Sequence, residues 1–106
     1  MDELDEKIRM IELYDIYGGL IKSKQKEILD DYFDYNMTLS EIAEEKNISK
    51  QAVYDLIKKK CDVLENYEKV LKLLEIKNNI NVCIKNVKDN NFKKVEEILN
   101  NILEEI

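Results

Sequence analysis

Proline is absent from this chain of 106 residues, and glycine occurs only twice. The residues that build most turns are therefore scarce, whereas Leu, Ile, Lys and Glu recur with helical spacing. Hydrophobic residues make up 44% of the chain, which is enough to form a core. The composition predicts an all-α fold in one domain, or in a compact module with a helical extension.

Histidine is also absent, so the commonest general base and metal ligand is missing. The two cysteines, Cys61 and Cys83, form no CxxC pattern, and in a cytosolic protein such a pair indicates two core or surface residues rather than a disulfide or metal site. The abundant carboxylates lie on periodic polar faces, which is typical of solvated helices. We expect no catalytic residue, no metal ligand, no cofactor and no enzymatic activity.

Long apolar runs are lacking, so no segment is expected to span a bilayer. The chain begins Met-Asp-Glu-Leu-Asp-Glu, and this acidic start is the opposite of the basic start of a secretory signal peptide. The sequence therefore predicts a cytoplasmic protein without membrane contact.

Residues 38–60 have the pattern of a helix-turn-helix. Thr38 can cap the first helix, and Glu41 can complete a capping box with it. Asn47 lies at the turn, where we expect a positive φ that Asn tolerates better than most residues. Ser49 can cap the second helix. The turn residue of the motif thus lies between the end of one predicted helix and the capping residue of the next.

The apolar positions of this motif predict how its two helices cross. Ala43 is small enough for a close crossing, Ile48 is expected to fill the angle between the helices, and Val53 and Ile57 return the second helix to the core. The outward positions would then face a DNA major groove, and they are Lys50, Gln51, Tyr54, Asp55 and Lys58. The alternative is a plain pair of core helices with the same apolar spacing.

Charge is distributed unevenly over a chain whose net charge is −6. Residues 1–17 carry −4, whereas residues 47–60 carry +3 and form the only clearly positive block. Lysines and a hydroxyl group in this block can position the protein on phosphates, while an amide and an aromatic ring can face bases or a stacking partner. The predicted nucleic-acid contacts are Ser49, Lys50, Lys58 and Lys59 for phosphates, and Gln51 and Tyr54 for bases.

The segments before the motif predict two further helices. The first is expected from about Asp2 to Tyr17, with the inner stripe Leu4, Ile8, Ile11, Tyr14 and Tyr17. Gly18 and Gly19 would end it in a left-handed conformation. Ser23 can cap the second helix, which is expected to end near Asn36.

After the motif, its second helix is predicted to continue to about Ile76 as one long recognition helix. A turn at Asn78-Asn79, a short helix marked by Ile80, Ile84 and Val87, a turn at 89–91 and a last amphipathic helix would follow. We assign 1–76 to the helix-turn-helix bundle and 77–106 to an extension that forms a homodimer. The dimer would be held by an apolar stripe whose members are Leu64, Tyr67, Leu71, Leu74, Ile98 and Ile102; the alternative is that these residues pack within one chain.

Several spaced motifs resemble the YlxM family. They are Leu13 to Leu20 (Leu-Tyr-Asp-Ile-Tyr-Gly-Gly-Leu), Lys24-Gln25, Tyr32, Leu39 to Glu44, Ser49 to Asp55, Ile57-Lys58 and Leu64 to Glu68. The resemblance implies a DNA-binding regulator with a fold similar to region 4 of bacterial sigma factors. It also implies a link to the signal recognition particle pathway, because genes of the family lie beside those of the particle's GTPases.

Two functions follow from the sequence. The first is a regulator that contacts nucleic acid through the motif, with DNA favoured over RNA. The second is a protein-interaction module that binds the particle's GTPase, or its RNA–protein assembly, through the acidic N-terminal helix. The motif segment contains Asp55 and no arginine for bidentate guanine recognition, so both functions stay open.

Overall fold

The computed structural model describes residues 3–106 and contains two compact units, Met1–Leu71 and Lys72–Ile106. The described residues form six α-helices and no β-strand, which confirms the predicted all-α fold. The helices of the first unit are α1 (Glu3–Tyr17), α2 (Lys26–Phe33), α3 (Leu39–Lys46) and α4 (Lys50–Leu71), with a 3-10 turn at Gly18–Leu20. The second unit contains α5 (Leu73–Lys88) and α6 (Phe92–Glu105).

The core of the first unit draws on all four of its helices. α1 packs against α2 and α4, α2 against α3, and α3 against α4. The largest fully buried side chains come from each helix, and they are Leu13, Tyr17, Leu29, Ile42, Val53 and Leu64. Arg9 fixes α1 to α4 through two hydrogen bonds to Glu65, of 2.8 Å and 2.9 Å. These contacts hold α3 and α4 on a rigid support.

The inner face of α1 differs from the predicted stripe. Tyr14 and Tyr17 are buried as expected, but the third buried residue is Leu13, while Leu4 is 66% exposed and Ile8 is 47% exposed. Apolar residues occur on more than one face of this helix, so spacing alone did not select the face that packs. The predicted start at Asp2 lies outside the described residues.

Gly18 and Gly19 do not end α1 in the predicted way. No glycine in the described chain has a positive φ, and the two residues continue into the 3-10 turn. A Cβ atom on Gly18 would lie 3.2 Å from the ring of Tyr14. The absence of a side chain at Gly18 therefore serves close packing against Tyr14 rather than a left-handed cap.

The predicted continuous helix to Ile76 is also wrong. α4 ends at Leu71 because Lys72 adopts a left-handed conformation with φ 56°, and α5 begins at the next residue. No side-chain hydrogen bond caps α5 at Lys72, so no local capping signal marked this break. Asn78-Asn79, predicted as a turn, lie inside α5. The second predicted turn is confirmed, since α5 ends at Lys88 and Asn90 has φ 59°.

Burial in the second unit separates two apolar faces of α5. The residues that marked this helix in the sequence, Ile80, Ile84 and Val87, are 47–48% exposed, whereas Cys83 is buried. Cys83 forms a core cluster with Ile98 and Ile102 of α6. The face of α5 was therefore selected by packing on α6, as two apolar stripes were available.

Four of the six residues predicted to form a dimer interface are buried within one chain. Leu64, Leu74, Ile98 and Ile102 have 0–9% of their surface exposed, so they offer almost no area to a second copy. Tyr67 is half-buried, with its ring centroid 5.8 Å from that of Tyr17. Leu71 alone is substantially exposed, at 45%. The burial of these four residues supports the alternative of packing within one chain, and the homodimer stays a prediction.

Candidate nucleic-acid interface

The first helix of the motif begins at the predicted capping box. Thr38 Oγ1 accepts a hydrogen bond from the Glu41 backbone N–H at 3.1 Å, and the Thr38 N–H donates to Glu41 Oε1 at 3.2 Å. This reciprocal pair satisfies two backbone N–H groups that would otherwise lack partners at the start of α3. Both contacts lie within four consecutive residues, which is why the sequence pattern predicted them.

The turn between α3 and α4 has the expected geometry. Asn47 has φ 55° and ψ 45°, and its N–H donates to carbonyl groups near the end of α3. Ser49 Oγ then accepts from the Ala52 N–H at 3.0 Å and caps α4. Ile48 departs from the prediction in its burial, because 41% of its surface is exposed. The crossing is closed by residues within the two helices.

Small and apolar side chains form that crossing. Ala43 and Ile42 on α3 and Val53 and Ile57 on α4 are at most 8% exposed, and α3 packs directly on α4. Since the buried residues of α4 occupy one face, the opposite face is available to a ligand.

All six residues predicted to contact nucleic acid lie on the surface. Three of them, Lys50, Gln51 and Tyr54, line one shallow depression of about 360 Å³ together with Leu39. Lys58 lies one turn further along α4, with its Nζ 5.9 Å from the centroid of the Tyr54 ring. Ser49 and Lys59 are exposed but do not line the depression.

Two lysines of α4 differ from lysines of α2 and α3 in whether they form ion pairs with the residues that the structure describes. Lys46 forms an ion pair with Glu27 at 2.5 Å, and Lys26 forms one with Asp30 at 3.2 Å. Lys50 and Lys58 form no ion pair with any described residue. Their positive charges are therefore available to an anionic ligand.

A larger groove in the first unit was not evident from the sequence. Its volume is about 610 Å³, and it borders α4 at Tyr54 and Lys58. Its lining also includes Met10, Tyr32 and Cys61, together with charged residues of both signs, Glu3, Glu6, Asp62 and Lys7. These residues come from three helices that are distant in the chain, so no local motif could have identified the groove.

Cys61 in this groove is not an activated thiol. Burial, and then the neighbouring carboxylates of Asp62 and Glu65, raise its pKa to about 11. Since the thiolate is the nucleophile and the metal ligand, a thiol with a raised pKa is poorly suited to either role.

One acidic cluster brings together Glu27, Asp31 and Glu45, with ligand atoms within 4.8 Å of one another. Two of these side chains are exposed, and the ammonium group of Lys46 already neutralises Glu27. We therefore assign no metal to the cluster.

Comparison with known proteins gives consistent matches over most of the chain. The family model UPF0122, described as "Putative helix-turn-helix protein, YlxM / p13 like", matches residues 4–104. The UPF0122 protein of Fusobacterium nucleatum is 41% identical over 101 residues, which are 94% of this chain and 98% of that protein. The UPF0122 protein of Clostridium kluyveri is 39% identical over 111 aligned positions, covering 97% of this chain and all of that protein. A relative in Shouchella clausii is 43% identical over 72 residues, or 68% of this chain and 66% of that protein. The first two matches are long enough to include both units of the structure.

Proposed function

Because the chain belongs to the UPF0122 family of YlxM/p13-like helix-turn-helix proteins, we propose that it is a regulatory protein that contacts nucleic acid through α4. The observation that carries the proposal is the exposed face of this helix. Lys50, Gln51 and Tyr54 converge on one depression, and Lys58 lies one turn further along. The face combines cations for phosphates with an amide and an aromatic ring for bases.

DNA fits this arrangement better than double-stranded RNA. The major groove of B-DNA admits an α-helix, whereas the deep and narrow major groove of A-form RNA does not admit side chains readily. Lys50, Lys58 and Lys59 would contact phosphates, as would the hydroxyl group of Ser49. Gln51 and Tyr54 would face the bases.

The test of this proposal is the double variant Lys50→Glu with Lys58→Glu. We expect nucleic-acid binding to weaken by at least ~30-fold at low salt, because two phosphate contacts become repulsive. A matched control, Lys24→Glu with Lys69→Glu, changes the net charge equally at exposed positions outside this face. Binding would be measured by fluorescence anisotropy on a labelled DNA duplex, and circular dichroism would confirm that both variants keep their helical content.

The salt dependence gives a second measure of the same contacts. If each copy touches ~3 phosphates, a dimer should show a slope near −5 in a plot of log affinity against log salt. An affinity that does not depend on salt, or an equal loss of binding in the control variant, would contradict phosphate contact by α4.

The groove that borders α4 favours a second candidate function. Its lining combines apolar side chains with three carboxylates, which outnumber the two lysines Lys7 and Lys58. This lining suits a partner that presents apolar residues together with basic ones. The family resemblance links such a partner to the signal recognition particle, and its GTPase is the specific candidate.

A pull-down from cell lysate with and without nuclease separates the two functions. Partners that are lost after nuclease treatment support contact through nucleic acid. Retention of the particle's GTPase after nuclease treatment, together with its loss in a Glu6→Lys variant, supports the groove.

A further inference from the structure

The second unit has a small core for its length. α5 and α6 bury Cys83, Ile98 and Ile102, with Ile76 and Val95 partly buried against them. Units of fewer than about 40 residues usually need a disulfide, a metal or oligomerisation to be stable, and Cys83 is a free thiol. Additional burial is therefore expected on the exposed faces of α5 and α6.

A second apolar stripe runs along each helix beside the buried one. On α5 it consists of Ile80, Ile84 and Val87, and on α6 of Phe92, Leu99 and Leu103. These six side chains are between 47% and 70% exposed. Spacings of three, four and seven residues place the members of each stripe on one face of their helix.

The two exposed stripes lie on the same side of the helical hairpin. In both helices, the exposed residues follow buried ones by one or four positions: Ile84 and Val87 follow Cys83, while Leu99 and Leu103 follow Ile98 and Ile102. Each exposed stripe is thus rotated in the same sense from its buried stripe. Because the short connection at residues 89–91 makes α5 and α6 antiparallel neighbours, equal rotation places both stripes on one side.

The charges of the two helices are opposite in sign. α5 carries Lys77, Lys85 and Lys88 against Glu75, which gives +2. α6 carries two lysines against four glutamates, which gives −2. A second copy of the same hairpin can therefore offer each helix a partner of opposite charge, whereas pairing identical helices would bring like charges together.

We propose that this face, formed by the six exposed residues of the two stripes, is covered by a second copy of the chain, with α5 of one copy against α6 of the other. The result is a four-helix bundle with two-fold symmetry. Six side chains of this size, each about half exposed, present roughly 500 Å² per copy, so pairing buries about 1,000 Å² in total, near the lower bound for a specific interface. This self-association does not depend on whether α4 contacts nucleic acid.

The test compares two variants of the full chain by sedimentation equilibrium at 1–100 μM, a range chosen to bracket micromolar affinity. The wild-type protein should have twice the chain mass of 12.6 kDa. Ile84→Glu places a charge in the middle of the face and should raise the dimer dissociation constant by at least ~100-fold, because the charge would be buried without a partner. Val82→Glu is the matched control, since Val82 lies on the same helix and is 45% exposed but belongs to neither stripe.

Dimers in the wild type and in Val82→Glu, together with monomers in Ile84→Glu, would support the proposal. A monomeric wild type, or dissociation that is equal in the two variants, would overturn it. If Ile84→Glu loses helical content, Leu103→Ser provides an uncharged substitution at a position that is 70% exposed. Leu103→Ser should also weaken the dimer, and an unchanged dissociation constant would count against this face.

Discussion

In the proposed complex with nucleic acid, Asp55 is the residue that most limits what the exposed face of α4 can contact. It accepts a hydrogen bond from Gln51 Nε2 at 2.9 Å on the exposed face of α4. This bond occupies one of the two N–H donors of the Gln51 amide and restrains the side chain, and the negative charge of Asp55 opposes nearby phosphates. Recognition through this helix should therefore depend on its lysines for affinity, and only weakly on Gln51 for sequence selection.

Ala43 determines how closely the two motif helices approach. It is 8% exposed at the packing surface of α3 on α4. We expect Ala43→Leu to destabilise the fold by roughly 1–3 kcal/mol, because a larger side chain overpacks a filled site. Thermal unfolding followed by circular dichroism should show a midpoint lowered by several degrees.

The control for this substitution is Ala52→Leu. Ala52 is an exposed alanine of α4, so added volume there meets solvent and should leave the midpoint nearly unchanged. Equal midpoints for Ala43→Leu and the wild type would mean that the crossing tolerates a larger residue and is looser than the structure indicates.

At the scale of the element, α1 and α2 are joined by a polar cluster on the edge of the core. Tyr14 Oη donates to Asp30 Oδ1 at 2.5 Å, and Lys26 Nζ donates to both groups at 3.2 Å. Burial, and then the hydrogen bond to Asp30, raise the pKa of Tyr14 to about 12. The hydrogen bond from Tyr14, and then that from Lys26, lower the pKa of Asp30.

The sign of the Asp30 shift predicts how its contribution depends on pH. A carboxyl group whose pKa is lowered on folding stabilises the protein above its ordinary pKa, here 3.8, and loses that effect as the pH falls through the folded-state value. Tyr14→Phe should therefore cost about 1 kcal/mol at pH 7, and less at pH 3.

Urea unfolding at both pH values measures this difference. Tyr35→Phe is the control, because Tyr35 is 74% exposed and should show no effect at either pH. A cost for Tyr14→Phe that is equal at the two pH values would show that lost packing, rather than the bond to Asp30, accounts for it.

At the scale of the whole molecule, the chain combines a positive helix face with a net charge of −6. Such a protein is expected to have weak non-specific affinity for nucleic acid, since repulsion from the acidic regions opposes the lysines. Two copies would double the number of phosphate contacts without any change in α4, and paired recognition helices also match paired half-sites in DNA.

This coupling predicts an effect of the distant residue Ile84 on binding. Ile84→Glu should reduce the slope of log affinity against log salt to about half of the dimer value, because a monomer touches half as many phosphates. The measurement is the same anisotropy titration at several salt concentrations, with Val82→Glu as the control. An unchanged slope in a variant that sediments as a monomer would mean that a single copy accounts for all the phosphate contacts.

The sequence by itself determined the features that depend on neighbouring residues. The capping box of Thr38 and Glu41, the positive φ of Asn47, the cap by Ser49 and the outward face of α4 all follow from hydrogen bonds or helical periodicity within a few residues. These features define the motif and most of the candidate site. They could be predicted because local energy terms decide them and the surrounding fold does not oppose them.

Tertiary structure alone decided which of several apolar faces is buried and where the long helix ends. α1 and α5 each carry more than one apolar stripe, and only packing against other helices selected Leu13 and Cys83 over Ile8 and Ile84. Lys72 takes a left-handed conformation that its own side chain does not favour. The groove beside Tyr54 likewise joins residues that are far apart in the chain. These outcomes minimise the free energy of all the packed helices together. The contacts that decide this free energy join different segments, so no single segment of the sequence predicts them.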